Sequence, residues 1–403
     1  MIGPGRNHAP LQYTFTDEMN KEINDLTDYT LELSSINALL EYLTETQKIK
    51  LEHINNIRIY NSSKYMILGI TARRNLELTE RMNDKSKKGT LLWVLDKTAT
   101  SMGGRLLRKW INEPLLDTLQ INKRLNAVKE LRENIILRGD LGQALKYVYD
   151  IERLVGKISY GNSNARDMVS LKGSLKQLPV IKDLLASTKS DMMQELYANL
   201  DLCADICGHI ERAIVDEPPI TITEGGIIKE GYNEQVDGYK QAGAEGKKWL
   251  LDLETRERDL TGIKTLKIGF NKVFGYFLEV TKSNISLVPE RFIRKQTLTN
   301  GERYVTEELT EIEGKILGAE EKTVDLEYNL FTELREEIAK NIKRLQQSAN
   351  IIAILDVINS FANVAEDMGY NIPIVDNSGV IDIKDGRHPV IEKILGERCI
   401  CAK

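Results

Sequence analysis

The chain has 403 residues, 41% of them hydrophobic and 29% charged, with a formal net charge of −5. That length is too great for one core, so two to four structural units are expected, and the charged share fits long solvated helices. No apolar run approaches the roughly 18 residues that cross a membrane, and the opening MIGPGRNHAPLQYTF lacks the charged-then-apolar order of a secretory signal. No membrane association and a cytoplasmic location are therefore expected, and four cysteines agree with a reducing compartment.

In chain order, residues 17–44 carry Ile23, Leu26, Leu31, Leu33, Leu39 and Leu40 in a helical pattern. YMILGI (65–70) reads as a short buried strand. Residues 75–216 read as a helical bundle. One helix begins near Thr100, where Thr98, Thr100 and Ser101 offer oxygens to unpaired backbone N–H groups. It repeats Leu106, Leu107, Trp110 and Ile111 and stops at Pro114, and Asp117 or Thr118 caps the next. Helices continue through Leu137, Leu141, Leu145 and Val148 to Ile151 and Leu154. DEPPITITEGGIIKEGY (216–232) is a break, since Pro218 and Pro219 cannot sit inside a helix and Gly225-Gly226 marks a turn. Residues 233–262 form a charged helix, polar on most faces as suits an arm in solvent, with Gly243 and Gly246 weakening its middle. Strand alternation follows over 264–282, with Leu266, Ile268 and Phe270 on one side, Tyr276, Leu278 and Val280 on one side, and a hairpin tip at Asn271–Gly275. From Glu307 to about Met368 the pattern is helical. About 60 residues at about 1.5 Å each would span roughly 90 Å if straight. Residues 374–395 read as strand, turn, strand.

Charge is distributed unevenly. Residues 262–304 hold eight Lys/Arg (Lys264, Lys267, Lys272, Lys282, Arg291, Arg294, Lys295, Arg303) against three acids (Glu279, Glu290, Glu302), so this segment is net +5 and the remainder is −10. Arg and Lys mixed with Asn, Gln and Thr suit phosphate oxygens, which supply affinity without reading base identity. Arg294-Lys295-Gln296-Thr297-Leu298-Thr299-Asn300 is the densest stretch, and Asn271-Lys272 is a second candidate. The bland explanation is a hairpin whose lysines discourage edge-to-edge pairing.

Other chemistry is sparse. Cys203, Cys207 and His209 form C-x3-C-x-H, which on a helix puts both thiols on one face. Two small buried residues beside a surface histidine explain it as well, and zinc wants about four ligands with tighter loop spacing. No G-x-x-x-x-G-K-[ST], C-x-x-C, H-E-x-x-H or G-x-S-x-G occurs. No catalytic, cofactor or metal residue is assigned.

Several long motifs, in order, resemble the MutS family of DNA mismatch-repair proteins. They include TARRNLELTE (71–80), TLLWVLDKTATSMGGRLLRKWINEPLLDT (90–118), RLNAV (124–128), AIVDEPP (213–219) and GGIIKEGYNEQVD (225–237). RERDLTGIKTLKIGFNKVFGYFLEVTK (256–282), RKQTLTNGERYVTEEL (294–309), QQSANIIAILDVINSFA (346–362) and GRHPVIE (386–392) complete the set. The resemblance implies a mainly α fold, a long-helix bundle or lever domain with an inserted small antiparallel β-containing clamp domain. It maps 1–64 to a connector remnant, 65–245 to the first part of the lever and 246–306 to the clamp. It maps 307–372 to the second part of the lever and 373–403 to the start of an ATPase domain. The implied DNA-binding residues are Asn271, Lys272, Arg294, Lys295, Gln296, Thr297, Thr299 and Asn300. The family's mismatch-reading domain and Walker A loop are not matched, and Cys399 stands where the family usually has an adenine-stacking aromatic. The implied parent is a DNA-dependent ATPase using ATP and magnesium, homodimeric, with double-stranded DNA and a MutL-type protein as partners. This chain alone is expected to have no ATPase activity. A reading of another class is a helical scaffold for protein–protein interaction that does not bind DNA.

Overall fold

The computed structural model describes residues 30–47 and 64–395. The expected helical stretch 17–29, Cys399 and Cys401 lie outside the described residues. The chain is mainly α, as expected. Its helices are α1 (Thr30–Gln47), α2 (Ile70–Asn75), α3 (Leu91–Leu95), α4 (Ser101–Asn112), α5 (Thr118–Glu133), α6 (Ile135–Leu145), α7 (Ile151–Ser159) and α8 (Ala165–Leu175). They continue with α9 (Gln177–Leu185), α10 (Asp191–Asn199), α11 (Ala204–Ala213), α12 (Glu234–Thr261), α13 (Glu307–Ala339), α14 (Ile342–Asp367) and α15 (Pro389–Leu395). Strands β1 (Lys267–Asn271), β2 (Gly275–Thr281), β3 (Ile293–Thr297) and β4 (Gly301–Val305) lie between α12 and α13, with a 3-10 turn at Lys282–Leu287. The chain divides into two units: Met1–Gly142 with Leu185–Ala198 and Ile352–Lys403, and Gln143–Leu184 with Asn199–Ile351.

In the first unit the capping signals act as read. Thr100 caps α4 by accepting from the Gly103 N–H at 2.9 Å, and Asp117 caps α5 by accepting from the Leu119 N–H at 2.9 Å. Leu107 and Ile111 of α4 pack with Leu78, Leu92 and Val357. A buried polar contact fixes the approach to α4. Asp356, 1% exposed, accepts from Ala99 N at 2.8 Å and from Thr100 N and Oγ1, each at 2.7 Å. Burial pushes this carboxyl above its ordinary value, against the pull of those hydrogen bonds.

Two strand expectations in this unit fail. Residues 65–70 form a single bridge, Tyr65 to Leu115, and Ile70 already begins α2. Ile67 and Ile70 are 87% and 88% exposed, and only Leu68 between them packs against the core, so the apolar run has no second rung. Residues 374–395 hold no strand; their Ile374, Val380, Ile381 and Ile383 are exposed, and the described residues end in α15. Alternation describes a strand only where a partner accepts the ladder bonds; the first segment finds one for a single bridge, and the second forms no strand among the described residues.

In the second unit α12 and α13 form a paired stalk. Buried Val236, Gly243, Leu250 and Glu257 recur every seven residues along α12, with Gly246 and Leu253 three residues after the second and third. On α13 the buried positions Leu309, Ile312, Ile316, Ala319 and Thr323 alternate spacings of three and four. This is a coiled-coil seam, disguised in the sequence by glycine and glutamate at seam positions. Gly246 does not simply weaken α12. A Cβ there would stand 2.4 Å from Ile316 Cγ1, so the glycine is the notch that lets the helices approach.

The expected 60-residue helix is two helices. α13 ends at Ala339, where Asn341 N bonds the Ile338 carbonyl at 2.9 Å and Asn341 Nδ2 bonds the Glu337 carbonyl at 3.2 Å. A short polar side chain competing for backbone carbonyls tightens the turn and resets the helix. α14 also corrects the hydropathy reading. It is long and apolar enough to cross a membrane by length and composition, and 72% of that apolar window is buried within the protein. Cys203 is not inside a helix either. It stands at the residue before α11 with φ 48° and makes no side-chain bond to the helix end, and burial pushes its thiol to about 11. His209 contacts the Tyr232 hydroxyl at 3.1 Å and the Glu337 carboxylate at 3.3 Å. Among the described residues no group of three or more His, Cys, Asp and Glu is placed to hold a metal ion.

Candidate nucleic-acid interface

The four strands make one antiparallel sheet in the order β1-β2-β4-β3. Ile268 lies opposite Leu278 and Phe270 opposite Tyr276, with the tip at Asn271–Gly275, as the alternation predicts. One face packs on the stalk. Leu278, Val280 and Tyr304 join Leu250 and Leu253 of α12 and Leu309, Ile312 and Ile316 of α13 in a common core. Burial and a bond to Glu302 push the Tyr304 hydroxyl to about 12. On the other face Phe277 is only 5% exposed, because its ring covers Gly269 beneath the Arg303 guanidinium, 4.1 Å from the ring centroid.

Register decides which candidate residues stand together. β2 runs from the first tip to Thr281, which pairs with Gly301 at the start of β4. The second turn, Thr297–Gly301, therefore sits at the opposite end of the sheet from Asn271-Lys272. The seven residues of β2 separate them by roughly 20 Å. The first tip is folded back on the stalk, with Glu313 of α13 accepting from Tyr276 N at 3.3 Å. The second turn lies away from the stalk, because β4 carries the chain five residues, roughly 17 Å, from it toward α13. Gly301 permits the sharp return: a Cβ there would meet the Val280 carbonyl oxygen at 2.4 Å.

The predicted residues divide accordingly. Asn271 Oδ1 accepts from Val273 N at 2.8 Å and Phe274 N at 3.3 Å, shaping the first tip, while Lys272 is exposed. Arg294 pairs with Glu302 at 3.4 Å. Lys295, at a bulge in β3, donates to the Phe274 carbonyl at 3.0 Å, and so belongs with the first tip. Gln296 Oε1 accepts from Arg303 at 2.9 Å, and Arg303 also pairs with Glu279 at 3.3 Å. Thr297, Thr299 and Asn300 are exposed at the second turn.

The surplus of +5 is carried by lysines rather than arginines. Arg291 is neutralised from outside the segment by buried Glu257 of α12 at 2.5 Å, and Arg294 and Arg303 by Glu302 and Glu279. Lys264, Lys267, Lys272, Lys282 and Lys295 have no carboxylate within ion-pair distance among the described residues. Three of them, Lys264, Lys267 and Lys282, lie at the second-turn end, and sequence reasoning did not single them out. Their signal was present in the charge count. What was absent was the strand order that gathers them.

The family model of MutS domain III matches residues 71–362. The chain belongs to the MutS family. It is 51% identical over 386 residues to the DNA mismatch repair protein MutS of Acetivibrio thermocellus, covering 94% of this chain and 44% of the relative. It is 54% identical over 366 residues to that of Clostridium beijerinckii, covering 91% and 39%. It is 51% identical over 397 residues to that of Caldanaerobacter subterraneus subsp. tengcongensis, covering 97% and 46%. The chain thus spans less than half the length of these MutS relatives. The matched region includes the stalk, the sheet and both turns.

Proposed function

We propose that this chain is the lever and clamp portion of a DNA mismatch-repair protein, and that its sheet holds duplex DNA by the phosphate backbone. The observation that supports this most is a small sheet on a paired-helix stalk whose unpaired charges are five exposed lysines against one exposed carboxylate, Glu290. Phosphate contacts supply affinity and counterion release while leaving base sequence unread. In this reading 246–306 is the clamp, 65–245 and 307–372 form the lever, and residues before 65 and after 372 belong to adjoining connector and ATPase domains. The contacts that the resemblance implies are Asn271, Lys272, Arg294, Lys295, Gln296, Thr297, Thr299 and Asn300, with Arg294 and Gln296 exchanging internal partners for phosphate, and the other unpaired lysines, Lys264, Lys267 and Lys282, add their charge beside them.

In the longer protein the lever would couple ATP state to clamp closure by a rigid-body or hinge movement. That parent would be a cytoplasmic, DNA-dependent, magnesium-using ATPase, homodimeric, working with a MutL-type partner. The chain itself would bind DNA without hydrolysing ATP. About five phosphate contacts, one per unpaired lysine, predict a log–log salt slope near −4.5, or roughly 500-fold weaker binding on going from about 50 to about 200 mM salt. Fluorescence anisotropy of the 403-residue chain with matched and mismatched duplexes tests this. Salt-insensitive binding, a clear mismatch preference or no binding refutes it.

A further inference from the structure

The five unpaired lysines are not equivalent, and the sheet topology separates them. Lys272 and Lys295 belong to the end that folds back on α13, beside Glu313 and the exposed apolar Val273 and Phe274. Lys264, Lys267 and Lys282 lie at the other end. Lys267 begins β1. Lys282 follows β2, and its N–H donates to the Asn300 carbonyl of the second turn at 3.1 Å. Between them Asn284 Nδ2 donates to Thr265 Oγ1 at 3.0 Å and to Thr281 Oγ1 at 3.2 Å, and the two threonine hydroxyls stand 3.3 Å apart. Cations are thus interleaved with neutral hydroxyl and amide groups; Lys267 stands opposite Glu279 in the ladder, but that carboxylate is bonded to Arg303, and none of the three lysines forms an ion pair among the described residues.

We infer that Lys264, Lys267 and Lys282, with the Thr297–Gly301 turn, form the principal phosphate track, and that the Asn271-Lys272 tip is secondary. This rests on the DNA-binding reading above and assigns residues that the resemblance does not. Four strands in a row span about 14 Å, which matches about four phosphate steps of one strand measured along the duplex axis. Protection of a sheet edge does not account for the group. Lys267 is on an edge strand, but Lys282 follows a central strand and Lys264 lies outside the sheet.

The test is the salt dependence of duplex binding by the full 403-residue chain carrying K264Q/K267Q/K282Q. A charge-matched control, K109Q/K129Q/K146Q, lies on helices α4 and α5 and at the turn just after α6. Losing three phosphate contacts lowers the slope by about 2.7, so the loss between about 50 and 200 mM salt shrinks from roughly 500-fold to roughly 12-fold. The control keeps the wild-type slope, and K264R/K267R/K282R, which retains the charge, keeps it as well. Circular dichroism confirms that all variants fold. A wild-type slope in the first variant, or equal losses in the first variant and the control, overturns this assignment while leaving DNA binding intact. Absence of wild-type binding overturns the functional reading with it.

Discussion

Two glycines three residues apart in α12 have opposite meanings, and substituting each with alanine measures the stalk directly. At Gly246 an added Cβ would stand 2.4 Å from Ile316 Cγ1 and 3.2 Å from its Cδ1. Relieving that overlap requires Ile316 to leave its rotamer or the helices to part, at about 1–3 kcal/mol. Alanine's better helix propensity returns about 1 kcal/mol, so Gly246→Ala nets about 0–2 kcal/mol of destabilisation. At Gly243 nothing lies within 4 Å of the added Cβ, and Gly243→Ala keeps the propensity gain of about 1 kcal/mol. The two variants therefore differ by about 1–3 kcal/mol in opposite directions. Ile316→Ala costs about 2–5 kcal/mol by itself, since Ile316 is fully buried. In the double variant the new Cβ faces only the retained Cβ of residue 316, which stands at 3.7 Å. The double variant should then be more stable than additivity predicts, by about 1–3 kcal/mol. Urea unfolding followed at 222 nm, compared by midpoint, reads all four proteins. If Gly246→Ala is as stable as Gly243→Ala, or the pair is additive, the notch is not a packing device.

Further outcomes follow from single contacts. Gly301→Ala drives its Cβ into the Val280 carbonyl, so anisotropy should show weakened duplex binding while helical ellipticity is unchanged. Asp356→Ala strands the donors of Ala99 and Thr100 and should cost about 3 kcal/mol in denaturant titration. Because burial raises the folded pKa of Asp356, its contribution is fully present below the ordinary 3.8 and is lost as pH rises through that raised value, and the variant should lack this trend. Asp201 and Asp205 behave oppositely. Hydrogen bonds from Arg344 lower both, so their contribution is present above 3.8 and is lost as pH falls through the lowered folded values. Arg344→Gln should flatten that acid limb in midpoints measured from about pH 6 to about pH 2.5.

Much of the local structure was legible because its causes are local. Thr100 and Asp117 cap helices with their own side chains, Pro218-Pro219 forbids a helix, and Ile268 to Val280 alternates around a tight tip. Where the cause was a distant partner, the local reading failed. YMILGI has a strand pattern but a partner for only one bridge, and the 374–395 alternation forms no strand among the described residues. Asn341 divides a helix that apolar spacing made continuous. Val236, Gly243, Leu250 and Glu257 hide a heptad from any count of hydrophobic residues, because two of the four are not hydrophobic.

The sequence by itself determined a mainly α chain of the MutS family with one small sheet carrying a surplus of positive charge. Composition, capping chemistry and ordered motifs are properties of neighbouring residues. Tertiary structure alone decided what that charge is free to do. Carboxylates brought by the stalk and the adjoining strands neutralise Arg291, Arg294 and Arg303. The strand order puts the two turns at opposite ends and leaves Lys264, Lys267 and Lys282 at the second-turn end, where α12 hands the chain to the sheet. Charge is additive along a chain, but the field that a polyanion meets depends on which charges have already found partners, and those partners are distant in sequence.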